Sequence, residues 1–192
     1  MLKPLFVYIH GFNSSPQSFK ARLLVQWFAD QGREDEVIVP SLSHWPAKAM
    51  ATLETLINQH PERTIVLLGS SLGGYYSTYL AEKYGLQAVL INPAVRPYKL
   101  LEDLLGENEN IYTQERYQLT RHHLDQLLAL KCETLKDLSL YLLLTQTGDE
   151  VLDYQQGVAF YQGAEMIIQP DGSHGFDDFE TMLPRIEAFA AT

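Results

Sequence analysis

The 192-residue sequence predicts a three-layer α/β/α sandwich built on six mainly parallel strands. Short runs rich in leucine and β-branched residues alternate with longer amphipathic stretches, a pattern typical of βα units that feed a parallel sheet. Each amphipathic stretch is long enough to form the crossover helix that two parallel strands require. We expect a single domain over residues 1–192, because a chain of this length has room for one sizeable hydrophobic core.

Six runs have the length and composition of strands. They are Leu5 to His10, Val37 to Pro40, Thr64 to Leu68, Ala88 to Asn92, Leu140 to Thr145 and Glu165 to Gln169. Helices are predicted between and after these strands, where apolar residues recur with helical spacing. They cover about Gln17 to Gln31, Ala47 to Gln59, Leu72 to Lys83, Tyr154 to Tyr161 and Asp177 to Ala190.

The regular alternation is interrupted once, between the fourth and fifth predicted strands. The segment from Pro93 to Leu138 is longer than one crossover helix needs. It is charged and rich in leucine, for example in Leu124 to Leu130, which predicts two or three short helices. We expect this insertion, at about residues 95–137, to form a small helical lid over a pocket. The alternative is a helical elaboration that covers an edge of the sheet.

Composition and charge exclude several classes of protein. The formal net charge is −10, and no run of Lys or Arg forms the positive stripe that nucleic-acid binding requires, so no nucleic-acid partner is expected. The only cysteine, Cys132, cannot form an intrachain disulfide and lies in no nucleophile motif, which favours a core position. The apolar run Leu5 to Ile9 is too short for a signal peptide or a membrane span. We therefore expect a cytoplasmic protein with no membrane partner.

A Gly-x-Ser-x-Gly turn joins the third predicted strand to the helix that follows it. Gly69 and Gly73 lie two positions either side of Ser71, where side chains would collide with neighbouring backbone in a sharp strand-to-helix turn. Such a turn strains the serine and presents its hydroxyl at the carboxyl end of the sheet. Ser70 has leucines at the equivalent positions. Ser71 is therefore the candidate nucleophile, although this short pattern also occurs by chance in proteins without the chemistry.

A serine nucleophile needs a histidine base, and the base needs an acid that orients it. His174 lies in a turn-rich loop after the last predicted strand, whereas the other five histidines are at positions that favour structural or solvent-facing roles. Asp149 is the first acidic residue after the fifth strand, and it lies between Ser71 and His174 in chain order. Glu150 and Asp153 are close alternatives for the acid.

Backbone N–H groups that receive the negative charge on the carbonyl oxygen would complete the site. One such donor is typically worth roughly 10²- to 10³-fold in turnover. The segment His10-Gly11-Phe12 directly follows the first strand, where glycine allows the backbone to approach a substrate closely. The N–H groups of Phe12 and Leu72 are the predicted donors of this oxyanion hole.

With these motifs, the sequence resembles the small bacterial α/β-hydrolases of the YqiA type, which are described as esterases. The resemblance covers nearly the whole chain and rests on Tyr8 to Pro16, Gly69 to Tyr75, Asn92 to Pro97, Gly148 to Leu152 and Ser173 to Phe176. It implies a reduced α/β-hydrolase fold with strand order 2-1-3-4-5-6, without the first two strands of larger hydrolases. It also implies cleavage of carboxylic esters, preferably those with short acyl chains.

The predicted reaction is ester hydrolysis through an acyl-enzyme on Ser71, with His174 as base and then acid and Asp149 orienting it. The expected partner is a small-molecule ester. Neither a cofactor nor a metal is expected, since the histidines and carboxylates do not follow metal-ligand spacing. Two alternatives are a thioesterase that uses the same residues on acyl thioesters, and a non-catalytic scaffold that binds another protein. No heptad or large apolar stripe indicates an oligomeric state.

Overall fold

The computed structural model describes residues 3–191, so residues 1, 2 and 192 of the predicted domain lie outside the described residues. In chain order the strands are β1 (Leu5–Ile9), β2 (Val37–Ile38), β3 (Ile65–Ser70), β4 (Gln87–Ile91), β5 (Gly106–Glu109), β6 (Arg116–Leu119), β7 (Tyr141–Gln146) and β8 (Glu165–Gln169). Six of them form one sheet in the order β2-β1-β3-β4-β7-β8, and every neighbouring pair in it is parallel.

Helices cover both faces of this sheet. They are α1 (Phe19–Ala29), α2 (Pro46–Asn58), α3 (Leu72–Tyr84), α4 (Pro97–Leu100), α5 (Arg121–Leu128), α6 (Tyr154–Phe160) and α7 (Leu183–Ala190). Helices α1 and α7 pack on one face of the sheet, and α2, α3, α5 and α6 pack on the other. Side chains of β1 alternate between the two cores, with Val7 on one side and Tyr8 on the other. Because both faces are covered, the central strands are apolar throughout.

The predicted three-layer sandwich and its strand order are confirmed. The order 2-1-3-4-5-6 corresponds to the six strands of the main sheet counted along the chain. Strand bounds differ from the predictions by one or two residues, and β8 coincides with its prediction. No helix within residues 3–191 combines the length and the apolar character needed to cross a membrane. The cytoplasmic location stays a prediction.

The prediction of one long final helix from Asp177 is wrong at its beginning. Asp178 adopts a left-handed conformation with φ of 55°, and a short 3-10 turn over Phe179–Met182 precedes α7. Helix α7 then begins at Leu183 with Pro184 in its first turn, where the missing N–H of proline costs no hydrogen bond. The apolar spacing before residue 183 reflects burial of a turn against the sheet rather than a continuous helix.

The insertion is only partly helical, which corrects the prediction of helices alone. Besides α4, a following 3-10 turn and α5, it contains the antiparallel hairpin formed by β5 and β6. Strand β5, with the sequence GENE, has no apolar residue, and β6, with the sequence RYQL, alternates polar and apolar residues over four positions, the shortest run that indicates a strand. Their pairing is aided by an ion pair between Glu109 and Arg116, which lie opposite each other.

We expect truncation of a side chain in a central strand of the sheet to lower the free energy of unfolding more than truncation in an edge strand. Leu67 in β3 is fully buried, so Leu67→Ala should lower the free energy of unfolding by about 2–5 kcal/mol. Ile168 in the edge strand β8 is 43% exposed, and Ile168→Ala should cost less than about 1.5 kcal/mol. Urea unfolding followed by circular dichroism measures both values. Equal losses in the two variants would contradict the packing described here.

Candidate active site

Ser71 is the single residue between β3 and α3, and its backbone is strained. Its φ of 55° and ψ of −119° lie outside the regions that non-glycine residues normally occupy. Three backbone hydrogen bonds hold this conformation. The Ser71 N–H donates to the Ile91 carbonyl at 3.0 Å, and the Ser71 carbonyl accepts from the N–H groups of Gly74 at 2.9 Å and Ala94 at 3.0 Å. The strain is therefore fixed by the strand beside β3 and by the helix that follows.

Three glycines make this turn sterically possible. A Cβ atom on Gly69 would overlap the carbonyl group of Gly73, and a Cβ atom on Gly73 would overlap the carbonyl of Ile9 at the end of β1. A Cβ atom on Gly74 would lie 2.7 Å from the Cβ of Pro93. The first two positions follow the expected pattern of the motif, whereas Gly74 is required by a contact that only the folded chain creates.

The three predicted catalytic side chains form a continuous hydrogen-bonded series. The Nε2 atom of His174 lies 3.1 Å from the Oγ of Ser71. On the other side of the ring, Nδ1 lies 2.8 Å from Oδ2 and 3.0 Å from Oδ1 of Asp149. The Asp149 side chain is only 1% exposed, whereas the His174 side chain is 23% exposed. The structure thus brings together, at the carboxyl end of the sheet, residues separated by more than 100 positions.

Asp149 is held as an ionised carboxylate. Burial by itself raises the pKa of this group, but hydrogen bonds from His174 and from two backbone N–H groups outweigh it, so the pKa lies below its ordinary value. Those backbone donors are Val151 at 2.9 Å and Leu152 at 2.8 Å, and both reach Oδ1. A charged acceptor in this position favours the tautomer of His174 that carries its proton on Nδ1.

The two alternative acids have other tasks. The carboxylate of Glu150 accepts the backbone N–H of His174 at 2.9 Å and therefore holds the loop rather than the ring. Asp153 caps the start of α6 by accepting the N–H of Gln155 at 3.0 Å. Of the three carboxylates, Asp149 is the one that contacts the His174 imidazole.

A buried amide, Asn92, anchors the loop that carries His174. Asn92 follows β4, has a φ of 41° and is 2% exposed. Its Oδ1 accepts the N–H of Gln146 at 3.0 Å and the hydroxyl of Thr145 at 3.2 Å. Its Nδ2 donates to the carbonyls of Ser173 at 3.0 Å and His174 at 3.2 Å. All hydrogen-bonding groups of the amide are used, so the loop has a fixed position relative to β4 and β7.

A second amide, Gln146 at the end of β7, acts on the same loop. Its Oε1 accepts the N–H groups of Ser173 at 3.1 Å and Asp177 at 2.8 Å. Its Nε2 donates to Gln169 at 2.8 Å and to the Asp177 carbonyl at 2.9 Å. Sequence reasoning assigned no role to either amide. The available signal was a polar residue at the carboxyl end of a buried strand, where ligand sites of parallel sheets lie.

The loop after β1 approaches Ser71 closely. A Cβ atom on Gly11 would lie 3.2 Å from the Cβ of Ser71, so a larger residue here would crowd the candidate nucleophile. Within residues 3–191 the N–H of Phe12 donates to no protein acceptor. The N–H of Leu72 belongs to the first turn of α3, where helical N–H groups have no partner within the helix. Both predicted oxyanion donors thus belong to segments that adjoin Ser71.

His10 fixes the direction of the Gly11–Phe12 peptide. Its ring is buried, and Nε2 accepts the N–H of Leu42 at 3.3 Å. The proton must then lie on Nδ1, which is 3.2 Å from the Gly11 carbonyl oxygen. Because C=O and N–H point in opposite directions across a trans peptide, this contact turns the Phe12 N–H away from the His10 ring. Burial also lowers the pKa of His10, which favours the neutral form that this arrangement needs.

An open cleft of about 710 Å³ lies beside Ser71 and His174. Its walls come from the segment after β1, the start of α1, the segment after His174 and the turn between β5 and β6. Lys20 lines the cleft and donates to the Gly175 carbonyl at 2.6 Å, next to the candidate base. Burial lowers the pKa of Lys20 to about 8.

Within residues 3–191, the His44–His123 pair and Cys132 are not arranged as a second catalytic group. His44 and His123 contact each other through Nδ1 and Nε2 at 3.1 Å and join the segment after β2 to the insertion. Cys132 is half-buried, and burial raises the pKa of its thiol, which weakens it as a nucleophile. Among residues 3–191, no three His, Cys, Asp or Glu side chains converge in a way that could hold a metal ion.

A parallel sheet with a strained serine between strand and helix, and with histidine and aspartate on later loops, defines the α/β-hydrolase fold. Solved structures share it. Est1E from Butyrivibrio proteoclasticus, solved with ferulic acid bound, is similar with a TM-score of 0.69 and 16% identity, covering 98% of this chain and 88% of that one. Alpha/beta hydrolase domain-containing protein 10 from mouse has a TM-score of 0.71 at 16% identity, covering 99% and 89%.

The chain belongs to the uncharacterised protein family UPF0227, whose pattern matches residues 5–191. The UPF0227 protein YcfP of Salmonella paratyphi A is 23% identical over 190 residues, which cover 96% of this chain and 98% of that protein. This membership confirms the resemblance to YqiA-type proteins that the sequence motifs indicated.

The contacts of Asn92 predict that it positions the His174 loop, and this effect can be measured separately from any effect on folding stability. In Asn92→Asp an oxygen replaces the amide donor and faces the carbonyls of Ser173 and His174. For the ester hydrolysis that the sequence predicts, we expect kcat to fall about 10- to 100-fold with a smaller change in KM, since a small displacement of the candidate base His174 would be costly. Burial raises the pKa of the introduced carboxyl, so its protonated form should restore a donor at lower pH.

The kcat of Asn92→Asp divided by the kcat of wild type should therefore rise as pH falls from about 7 to 5. Val89→Ala in the preceding strand β4 is the matched control, because the Val89 side chain is fully buried and has no group that could hydrogen-bond to the loop. It should lose stability and keep its kcat per folded molecule. A ratio for Asn92→Asp that is unchanged by pH would contradict the positioning role.

The lowered pKa of Asp149 predicts how stability depends on pH. A carboxyl with a lower pKa in the folded state stabilises fully above its ordinary value, near pH 4, and this contribution is lost as pH falls through the folded-state pKa. Asp149→Asn cannot titrate. The difference in unfolding free energy between wild type and variant should be largest above about pH 5 and shrink below about pH 4. Urea unfolding across this range measures it, and a constant difference would refute the assignment.

Proposed function

We propose that this protein is a serine hydrolase that cleaves carboxylic esters through an acyl-enzyme on Ser71. The observation that carries this proposal is the hydrogen-bonded series from Ser71 Oγ through His174 to Asp149. A buried carboxylate, an oriented imidazole and a partly exposed, strained serine together have few uses other than nucleophilic catalysis. A non-catalytic scaffold would not require the two ring nitrogens of one histidine to face a hydroxyl and a carboxylate at these distances.

The geometry supports a two-stage reaction. In the first stage, the Oγ of Ser71 attacks the ester carbonyl carbon while Nε2 of His174 takes the hydroxyl proton. The tetrahedral intermediate collapses when His174 returns this proton to the departing alcohol, which leaves an acyl group on Ser71. In the second stage, water attacks the acyl-enzyme by the same route, and the carboxylic acid is released. Asp149 stabilises the imidazolium that forms in each stage.

The oxyanion of both intermediates would be received by the N–H groups of Phe12 and Leu72. In support, Gly11 brings the segment after β1 against Ser71, and His10 orients the peptide that contains the Phe12 N–H. Backbone donors fixed in this way need no reorganisation when charge develops on the carbonyl oxygen. The tight packing of Gly73 on Ile9 keeps the two donor segments together.

The cleft supports a small organic ester as substrate. Its volume of about 710 Å³ lies within the range of about 300–1,000 Å³ that small-molecule sites normally have. The cleft is open and has polar as well as apolar walls, which suits esters with short acyl chains better than long-chain lipids. Part of the wall comes from the turn between β5 and β6. This supports the interpretation of the insertion as a lid rather than as cover for a sheet edge.

Labelling with a fluorophosphonate probe tests the proposal, because such probes react with activated serines. We expect wild type to be modified at Ser71 and Ser71→Ala to lose both labelling and at least about a thousandfold of its ester hydrolysis rate. Ser70→Ala is the matched control, since Ser70 is the adjacent serine and is buried in β3. It should be labelled like wild type.

Two results would overturn the proposal. One is a Ser71→Ala variant that hydrolyses esters as fast as its parent, and the other is a wild-type protein that never reacts with the probe. Parallel assays with matched oxygen esters and thioesters decide between an esterase and a thioesterase, because the same residues serve both reactions. A higher kcat/KM for the oxygen ester is expected.

A further inference from the structure

Three large apolar side chains line the cleft beside Ser71 and are exposed to solvent. Phe19 is 60% exposed, Ile111 is 77% exposed and Tyr112 is 44% exposed. They come from two distant parts of the chain, since Phe19 begins α1 and the other two lie in the turn between β5 and β6. We call this group the apolar rim.

The turn that carries Ile111 and Tyr112 is fixed against the core. Asn110 donates from Nδ2 to the Ser14 carbonyl at 2.9 Å. The hydroxyl of Tyr117 in β6 donates to Oδ1 of Asn13 at 2.7 Å. Both acceptors immediately follow Phe12, so the turn is joined to the same loop that supplies a proposed oxyanion donor.

The turn is also braced internally. The Oδ1 atom of Asn110 accepts the N–H groups of Tyr112 at 3.0 Å and Thr113 at 3.2 Å. The backbone N–H of Asn110 bonds to the Glu115 carbonyl at 2.9 Å and closes the hairpin. Ile111 and Tyr112 are therefore presented by an ordered turn, and Phe19 is presented by the start of α1.

Apolar side chains held around a polar catalytic centre are typical of a site that binds an apolar group of a ligand. The remaining walls of the cleft contain the ionisable side chains of Lys20, Asp178 and Glu180, so its other sides are charged. An ester with one apolar group on the rim, and with its carbonyl at Ser71, matches this division. An ester with two small polar ends would leave the rim in water.

We propose that the apolar rim binds an apolar group of the substrate and so determines which esters are cleaved. This inference rests on the proposed function of Ser71 and adds a substrate class to it: small esters with one apolar substituent near the carbonyl. Burial of the substituent against the rim lowers the free energy of the bound ester and of its transition state together.

The test compares ethyl acetate, ethyl butyrate and butyl acetate, in which one or other side of the same ester is enlarged. Acid release is followed by pH-stat for wild type and for Phe19→Ser, Ile111→Ser and Tyr112→Ser. Wild type should prefer at least one of the larger esters. Each rim variant should lower kcat/KM for that ester about three- to tenfold, in proportion to the apolar area removed, and change ethyl acetate less than about twofold.

Val25→Ser and Leu128→Ser are the matched controls. Val25 is 41% exposed on α1, Leu128 is 50% exposed on α5, and neither lines the cleft. Both variants should keep the wild-type preference. The inference is overturned if wild type cleaves all three esters with equal kcat/KM, or if the rim variants retain the preference. In either case ethyl acetate turnover that depends on Ser71 would leave the proposed function intact.

Discussion

At Gly73 and Gly74, the first turn of α3 lies so close to the ends of β1 and β4 that no side chain fits between them, and the geometry of the whole site depends on this approach. Gly73 lies against the carbonyl of Ile9 at the end of β1, and Gly74 lies against Pro93 after β4. The same contacts fix the strained backbone of Ser71 and bring the segments after β1 and β4 to its two sides. Backbone that is fixed from several directions can hold an unfavourable conformation, because relaxing it would disturb three strands at once.

From this point the site is extended by polar side chains rather than by apolar packing. The amides of Asn92 and Gln146 are fully hydrogen-bonded, and between them they join the His174 loop to the carboxyl ends of β7 and β8. Buried amides with every group satisfied give a loop one defined position, whereas apolar contacts would allow it to slide. The imidazole can then lie between a hydroxyl and a carboxylate without further adjustment. His10 acts similarly on the segment after β1.

The insertion contributes to the site in a different way. Hydrogen bonds from Asn110 and Tyr117 join its hairpin to the segment after β1, and Leu119 of β6 is buried in the core. This arrangement leaves the apolar residues of the turn free to line the cleft. The candidate catalytic series is thus built at the central sheet, while the proposed apolar rim comes from the inserted segment and from Phe19 at the start of α1.

The sequence by itself determined the sandwich, its six strands and the candidate catalytic residues. Apolar periodicity reports which residues are buried, and the glycine spacing around Ser71 reports a local steric requirement, so both can be detected without a structure. Asp149 and His174 could be selected because parallel strands place the loops at their carboxyl ends on one side of the sheet.

Only the tertiary structure decided the hairpin at Gly106–Leu119, the late beginning of α7, the roles of Asn92 and Gln146, and the apolar rim. Strand GENE has no apolar residue, and in RYQL the polar–apolar alternation covers only four positions, so neither segment stands out as a strand in the sequence. The turn before α7 depends on the left-handed backbone conformation of Asp178, which the spacing of apolar residues in the sequence does not indicate. The hydrogen bonds of Asn92 join residues about 80 positions apart. They form only because the folded chain brings two loops together, and a local sequence pattern cannot predict that.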